Sequence, residues 1–391
     1  MLVHCPIAIP YEIQPCDPAE IAPLAAHLLA NRPVTEATVF PRGTALPDGR
    51  LDLCKQSLGP DGCRIVTEAL TRNTRVRSLL LGTDGIGDSG ADDVARLVAE
   101  NPALEILYLG CNRISSAGTA RLCEVLTTNR SVTGLWLKRN PIGPEGAAAV
   151  AAMLRTNRTL RTLDLVNTQI GADGLAAILD ALLHQNRTVE RLYLGGNGIG
   201  PNEAEHLAVL LRTNPSLKAL LLNVNAIGDT GAVILADALR ENQTLEELGL
   251  ASNTLSEAGG AALFEGLRDH KALSHLDLGW SPSTSVLGAS PNALGDRGAT
   301  VAAAFLAANP PLRHLDLRKN GIGKTGVHGL IRALDSNQSL VGLLLAGRYD
   351  YVVANALRQN RERAAENTPD LLPASISDVA LIRSVYRTMP R

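Results

Sequence analysis

One pattern of leucines recurs through most of this 391-residue chain with a period of 28 residues. The segment beginning at Leu217 reads LKALLLNVNAIGDTGAVILADALRENQT, and the next, beginning at Leu245, reads LEELGLASNTLSEAGGAALFEGLRDHKA. Because a unit this short cannot bury its own apolar face, such units must stack. We expect ten stacked units and a final strand, and the units begin at Asp48, Val76, Leu104, Val132, Leu160, Val189, Leu217, Leu245, Leu273, Leu312 and Leu340.

Each unit divides into a strand, a turn and a helix. In its opening LxxLxL the leucines alternate with other residues, which predicts a short strand with leucines pointing inward and the intervening residues pointing outward. Apolar residues then recur at helical spacing, as at Leu235 and Leu239, and predict a helix that covers the strand. The sequence therefore predicts an α/β solenoid with parallel strands on one side and helices on the other.

Two asparagines occupy fixed positions in the unit. The first follows the strand, and we expect its amide to bond the turn and to build a ladder across stacked units. Its positions are Asn112, Asn140, Asn197, Asn225, Asn253 and Asn320, with departures at Gln56, Asp84, Thr168 and Arg348. The second closes the helix, as at Asn101, Asn157 and Asn214, where we expect a left-handed residue.

This template closely resembles the leucine-rich repeats of ribonuclease inhibitor and of NOD-like receptors. The resemblance covers residues 48–345, and the ladder asparagine resembles the receptor repeats more than the cysteine-bearing repeats of ribonuclease inhibitor. It implies a right-handed horseshoe with parallel strands on the concave face and helices on the convex face. It implies little about function, because this family binds many unrelated partners.

Solenoid ends need caps, since an uncovered end exposes the core. We expect an N-terminal cap over residues 1–47, with a helix at 18–30 and a strand at 34–39. We expect a helical C-terminal cap over residues 346–391, in which Val379, Ile382 and Val385 face the last repeat; a plain cap is favoured over a partner-binding or autoinhibitory tail. An insertion at 279–291 carries Trp280, which we expect to be exposed as a binding flap or on a tolerated loop.

Charge and hydropathy limit the possible partners. The net charge is -2, which argues against nucleic acid or an anionic membrane as the partner. No apolar run approaches the roughly 18 residues needed to span a bilayer, and no secretory signal is evident at the N-terminus. We therefore expect a cytoplasmic protein whose partner is another protein, although its oligomeric state stays open.

The outward strand positions hold the candidate binding surface. Aromatic residues make up 3% of the chain, yet Tyr108, Trp136 and Tyr193 share the middle position of LxL in their units. Such positions point away from the core, and Tyr, Trp and Arg are typical of binding hot spots; scattered surface aromatics are the alternative. The candidate binding residues are Leu80, Tyr108, Trp136, Arg139, Asp164, Arg191, Tyr193, Leu221 and Trp280.

A second cluster comes from the sequence HLDL, which occurs in two neighbouring units. Equivalent positions place His275 beside His314 and Asp277 beside Asp316. Two imidazoles and two carboxylates could hold zinc or another divalent metal, or act as an acid–base pair. A solvated polar patch is the simpler interpretation, because HLDL is an ordinary variant of the repeat.

Signatures of catalysis are otherwise missing. The chain has no nucleophile elbow, no HExxH and no phosphate-binding loop with lysine. We therefore expect no cofactor and no enzymatic activity, and a protein-binding scaffold that uses the concave face. The alternative is a GTPase-activating or metal-dependent enzyme acting at the same face, since Ran GTPase-activating proteins carry this repeat type.

Overall fold

A computed structural model describes residues 13–281, 283–345, 347–366 and 378–386. The described part of the chain divides into two compact units. Unit 1 comprises residues 13–191 together with 378–386, and unit 2 comprises the described residues between 192 and 366. Residues 1–12, for which the sequence indicates no secretory signal, lie outside the described residues, as do residues 367–377.

Unit 1 begins with a 3-10 turn, Pro18–Glu20, and an antiparallel pair of short strands. Its later strands run parallel, each paired with the next along the chain. Its helices are α1 (Ala22–Leu29), α2 (Gly59–Leu70), α3 (Gly87–Glu100), α4 (Ser116–Leu126), α5 (Gly143–Thr156) and α6 (Gly171–His184). Its strands are β1 (Thr38–Val39), β2 (Thr44–Ala45), β3 (Arg50–Asp52), β4 (Ser78–Leu80), β5 (Ile106–Tyr108), β6 (Gly134–Trp136) and β7 (Thr162–Asp164).

Unit 2 continues the same alternation of strands and helices, and strand β8 (Arg191–Tyr193) stands at the division between the units. Its helices are α7 (Pro201–Thr213), α8 (Gly228–Glu241), α9 (Glu257–Gly266), α10 (Ser283–Val286), α11 (Gly295–Ala307), α12 (Lys324–Ala333), α13 (Asp350–Ala356) and α14 (Arg358–Glu366). Its strands are β9 (Ala219–Leu221), β10 (Glu247–Gly249), β11 (His275–Asp277), β12 (His314–Asp316) and β13 (Gly342–Leu344). In both units the chain therefore forms the predicted α/β leucine-rich-repeat solenoid.

The predicted inward register of the strands is confirmed. Leu79, Leu107 and Leu135 sit at equivalent positions of β4, β5 and β6, and all three are fully buried between the sheet and the helices. Successive helices of each unit pack side by side over this layer. Glycine permits their close approach: a Cβ at Gly174 of α6 would lie 2.6 Å from the Cβ of Ala147 in α5. The core of each unit is therefore a narrow layer of aliphatic side chains.

The asparagine ladder also forms. The Asn140 side-chain carbonyl accepts the backbone N–H of Asn112 at 2.8 Å, and its amide donates to the carbonyls of Leu109 and Leu137. Each ladder amide thereby satisfies backbone groups of two units that have no strand partner. After the insertion Asn292, which the sequence analysis did not single out, takes the ladder position and accepts from Asn253 at 2.8 Å.

Asp84 occupies a ladder position without an amide. One of its oxygens accepts the backbone N–H of Gln56 at 2.8 Å, and the other has no hydrogen-bond partner among the described residues. Burial raises the pKa of this carboxyl well above its usual value. The ladder is weaker here than at Asn140, because Asp84 has no amide to donate to the carbonyls of two units.

Among the asparagines that close the helices, Asn309 has a φ of 56° and is left-handed as predicted, but others differ from the prediction. Asn101, Asn157 and Asn214 have φ values of -109°, -63° and -95°, so the expected left-handed conformation is wrong for them. The Asn157 side chain instead accepts the N–H groups of Thr159 and Leu160, both at 2.8 Å, and donates to Leu126 of the preceding unit. Asparagine is required here for its side-chain hydrogen bonds and not for its backbone freedom.

A histidine takes this closing position in one unit. His270 is buried, and its Nδ1 accepts the N–H groups of Ala272 and Leu273 at 3.2 and 3.1 Å. Accepting these bonds requires a neutral ring nitrogen. Burial lowers the pKa of His270 to about 4, which keeps the ring neutral at physiological pH.

Candidate functional site

The candidate site of unit 1 is the side of its sheet opposite the helices, which we call the open face. It is formed by the outward side chains of β3 to β7. Parallel pairing places Leu80, Tyr108, Trp136 and Asp164 next to one another on successive strands, as predicted. The four side chains are nevertheless buried, and Trp136 is only 1% exposed. Something must therefore cover this row.

The cover is the chain's own C-terminal segment, residues 378–386. Val379, Leu381, Ile382 and Tyr386 pack against an apolar cluster on the open face. The cluster consists of Cys54, Leu80, Ile106, Tyr108 and Trp136. The expectation that Val379 and Ile382 face the last repeat is therefore wrong. Their spacing identified an apolar side of the segment, but the better apolar surface for it lies on unit 1.

Polar contacts anchor the beginning of the C-terminal segment. The Asp378 carboxylate accepts hydrogen bonds from the hydroxyls of Thr133 and Thr162, at 3.2 and 3.3 Å, and from Arg161 at 3.3 Å. Asp378 is 2% exposed, and burial raises its pKa although the Arg161 charge lowers it. A carboxylate withdrawn from water is tolerated here because three donors surround it.

The middle and end of the segment are held through its backbone. Ser78 Oγ donates to the Leu381 carbonyl at 2.8 Å, and the Arg50 guanidinium donates to the Arg383 carbonyl. Asp52 accepts the N–H of Val385 at 2.7 Å. These side chains come from β4 and β3. The open face therefore supplies side-chain partners for the main chain of a bound segment.

Two further hydroxyl contacts complete this end. Ser384 Oγ donates to Asp52 at 3.0 Å, and the hydroxyls of Tyr386 and Thr44 lie 2.5 Å apart. Thr44 belongs to β2, so the segment runs across the strands from β7 back to β2. Burial of Tyr386 raises the pKa of its phenol, which keeps it a hydroxyl donor or acceptor.

Glycines next to the row leave room for the aromatic rings. A Cβ at Gly134 would lie 2.5 Å from a ring carbon of Trp136, and a Cβ at Gly82 would lie 2.5 Å from one of Tyr108. Non-bonded carbon atoms do not approach this closely, so each ring occupies space that only a glycine leaves open. The Lys138 ammonium, 5.4 Å from the centre of the Tyr108 ring, adds a cation–π contact at one edge.

The other predicted binding residues have varied surroundings. Arg139 is half-buried and Arg191 is 7% exposed; in unit 2, Tyr193 is half-buried and Leu221 is 8% exposed. The expectation of an exposed Trp280 is wrong, since this side chain is partly buried. The insertion folds onto unit 2, where Thr284 is buried and its hydroxyl lies 2.6 Å from that of Ser252.

The two HLDL strands align as predicted. His275 pairs with His314 and Asp277 with Asp316, and the two imidazoles stack with ring centres 4.5 Å apart. Partial withdrawal from water, together with the charges of His275 and nearby arginines, lowers the pKa of His314 to about 4. Burial raises the pKa of Asp277.

The carboxylates of this cluster already have protein partners. Arg318 binds both oxygens of Asp316, at 2.9 and 3.0 Å through Nε, and Asp277 accepts the N–H of Gly279 at 2.9 Å. Among the residues that the structure describes, no group of three or more His, Cys, Asp and Glu side chains is arranged to hold a metal ion. The zinc site stays a sequence-based prediction.

Sequence reasoning missed the residues that hold the backbone of the segment. Ser78, Arg50 and Thr133 are ordinary repeat positions, and nothing in their pattern separates them from their equivalents in other units. A usable signal was present at Val379, Ile382 and Tyr386, whose apolar spacing required a partner surface. Pairing these apolar side chains with the aromatic side chains of Tyr108 and Trp136 would have predicted that the segment covers the open face.

Comparison with known proteins supports the fold. The family model described as "Leucine Rich repeat" matches residues 128–151, 156–179, 185–207, 213–236, 241–264 and 308–330. No curated protein sequence matches significantly. Among the described residues no helix is long and apolar enough to cross a membrane. The fold and these six matches support a leucine-rich-repeat protein.

Two solved structures are similar to this chain at low sequence identity. A chain in the crystal structure of the yeast Rad7 and Elc1 complex is 16% identical, with a TM-score of 0.53, over 84% of this chain and 76% of that one. The tropomodulin C-terminal domain of Caenorhabditis elegans is 15% identical, with a TM-score of 0.29, over 56% of this chain and 96% of that one. The second score is too low to support any inference.

Proposed function

We propose that this protein is a recognition module that binds a segment of another protein on the open face of unit 1. The observation that carries the proposal is the segment already bound there. Side chains of the open face contact both the apolar side chains and the main chain of residues 378–386. A surface that satisfies the backbone of one segment in this way has the chemistry to bind another.

The aromatic row supplies the apolar centre of this surface, and polar groups surround it. The rings of Tyr108 and Trp136 are packed against Gly82 and Gly134, so they lose little conformational entropy when a partner binds. At one end of this surface, Thr133, Thr162 and Arg161 donate hydrogen bonds to a carboxylate. Apolar anchors surrounded by polar groups are the usual anatomy of a protein interface.

Site-specific photo-cross-linking tests the location of the binding surface. The full-length chain carries a photoreactive residue in place of Lys138, beside the Tyr108 ring, and is used to select ligands from a displayed library of protein fragments. The matched control carries the same residue in place of Arg155, which lies on α5 and pairs with Asp180. We expect cross-links from position 138 and none from position 155. Ligands that cross-link only from position 155 would contradict the proposal.

We also propose that the repeats are of the ribonuclease-inhibitor type. The 28-residue period and the long α-helix in most units support this, because shorter repeats of the class contain 3-10 turns in place of helices.

A further inference from the structure

The open face is occupied by a part of the same chain, and its contacts describe what an external partner must look like. We propose that residues 378–386 are an intramolecular ligand. A partner would present the same chemistry: a carboxylate, then aliphatic side chains three or four positions on, then a hydroxyl-bearing aromatic. The inference rests on the proposed function, because it assumes that the open face binds protein segments.

The contacts are those of a bound peptide and not of the solenoid core. The core leucines, such as Leu107 and Leu135, lie on the opposite side of the sheet and are covered by helices. Residues 378–386 instead contact outward side chains, and within the described part of the chain they pair with no strand of the sheet. Unit 1 therefore retains its repeat packing when the segment leaves.

Each part of the segment has its own subsite. Asp378 is held between β6 and β7, the Leu381 carbonyl is bound from β4, and the N–H of Val385 is bound from β3. The apolar side chains between these points cover Tyr108 and Trp136. This order, read from the carboxylate to Tyr386, defines the direction in which a partner segment crosses the strands.

Tethering makes the chain's own segment a strong competitor. A segment tethered to its own binding surface has an effective concentration on the order of 1 mM. A free peptide of the same sequence with a Kd of about 100 µM would then bind the native chain about tenfold more weakly than a chain whose own segment is displaced. The segment would thus hold the protein in a closed state that a tighter partner must open.

The test displaces the segment within the full-length chain. Ile382→Asp places a carboxylate against the apolar cluster, while Arg383→Ala, which alters an exposed side chain, is the matched control. Both are made with Trp280→Phe, so that Trp136 is the only tryptophan. We expect Ile382→Asp to shift Trp136 emission to longer wavelength and Arg383→Ala to leave it unchanged.

Binding is measured with a labelled synthetic peptide, ISDVALIRSVYRT, which corresponds to residues 376–388. We expect at least about tenfold tighter binding to the Ile382→Asp chain than to the native or Arg383→Ala chain. The same peptide with aspartate at the Ile382 position should not bind. Asp378→Asn is a milder second variant, expected to change emission and affinity in the same direction.

Unchanged Trp136 emission and peptide affinity in both variants would overturn the inference. So would loss of the cooperative unfolding transition in both, because the segment would then be part of the core. Library ligands that bind the opened face but lack the acidic–aliphatic–aromatic pattern would overturn the inference and leave the proposed function standing. An opened face that binds this peptide but no external fragment would instead refute the proposed function.

Discussion

The histidine at the end of one repeat makes the stability of unit 2 depend on pH. His270 is neutral in the folded state, since its Nδ1 accepts two backbone N–H groups and burial lowers its pKa to about 4. In the unfolded chain its pKa is about 6.5. As the pH falls below 6.5 the unfolded chain binds a proton that the folded chain does not, so the free energy of unfolding decreases.

The size of the effect follows from the two pKa values. Each unit of pKa difference corresponds to about 1.4 kcal/mol. Between pH 7 and pH 4.5 the native chain should therefore lose about 2.5 kcal/mol through His270. Below pH 4 the loss levels off, because the folded state then also binds the proton.

His270→Asn restores the residue that closes the other helices and should remove this contribution. Urea denaturation of native and variant chains at pH 7 and pH 4.5 gives the two free energies of unfolding. Comparing chains cancels the titration of all other groups, so the native chain should lose about 2.5 kcal/mol more than the variant. Equal losses in the two chains would show that His270 is not held neutral, and would refute the reasoning.

Three further predictions concern the ladder, the core and the covered row. Asp84→Asn should raise the free energy of unfolding at pH 7 and reduce the loss of stability as pH rises, since burial raises the pKa of this carboxyl; an unchanged pH profile would contradict this. Leu220→Ala should lower the free energy of unfolding, measured by urea denaturation, by about 2–5 kcal/mol because Leu220 is fully buried. A near-zero decrease would mean that the inward register is wrong. Trp136→Ala should lower the free energy of unfolding by about 3–5 kcal/mol, and with it the melting temperature, because Trp136 is buried. An unchanged melting temperature would mean that the C-terminal segment does not cover this ring.

The site could be predicted only in part. The sequence placed Leu80, Tyr108, Trp136 and Asp164 in one row, because outward strand positions repeat with the unit. It also predicted that these side chains were unused by the core. It did not predict that they are buried, since burial depends on residues more than 240 positions later in the chain.

The repeat pattern alone determined the solenoid, the inward leucines and the asparagine ladder. Each depends on contacts between equivalent positions 28 residues apart, so the sequence period predicts which residues are in contact. The period did not predict the backbone conformation of closing asparagines such as Asn157. In an extended conformation, Asn157 forms the hydrogen bonds at the helix end through its side chain.

Tertiary structure decided where the C-terminal segment lies. The spacing of Val379 and Ile382 shows that the segment has an apolar side, but hydrophobic burial has no direction and does not select one apolar surface over another. The choice comes from specific polar contacts, such as Asp378 with Thr133 and Thr162, and Asp52 with the N–H of Val385. These pairs do not repeat along the chain, so no period in the sequence reveals them; they exist only once the strands are assembled side by side.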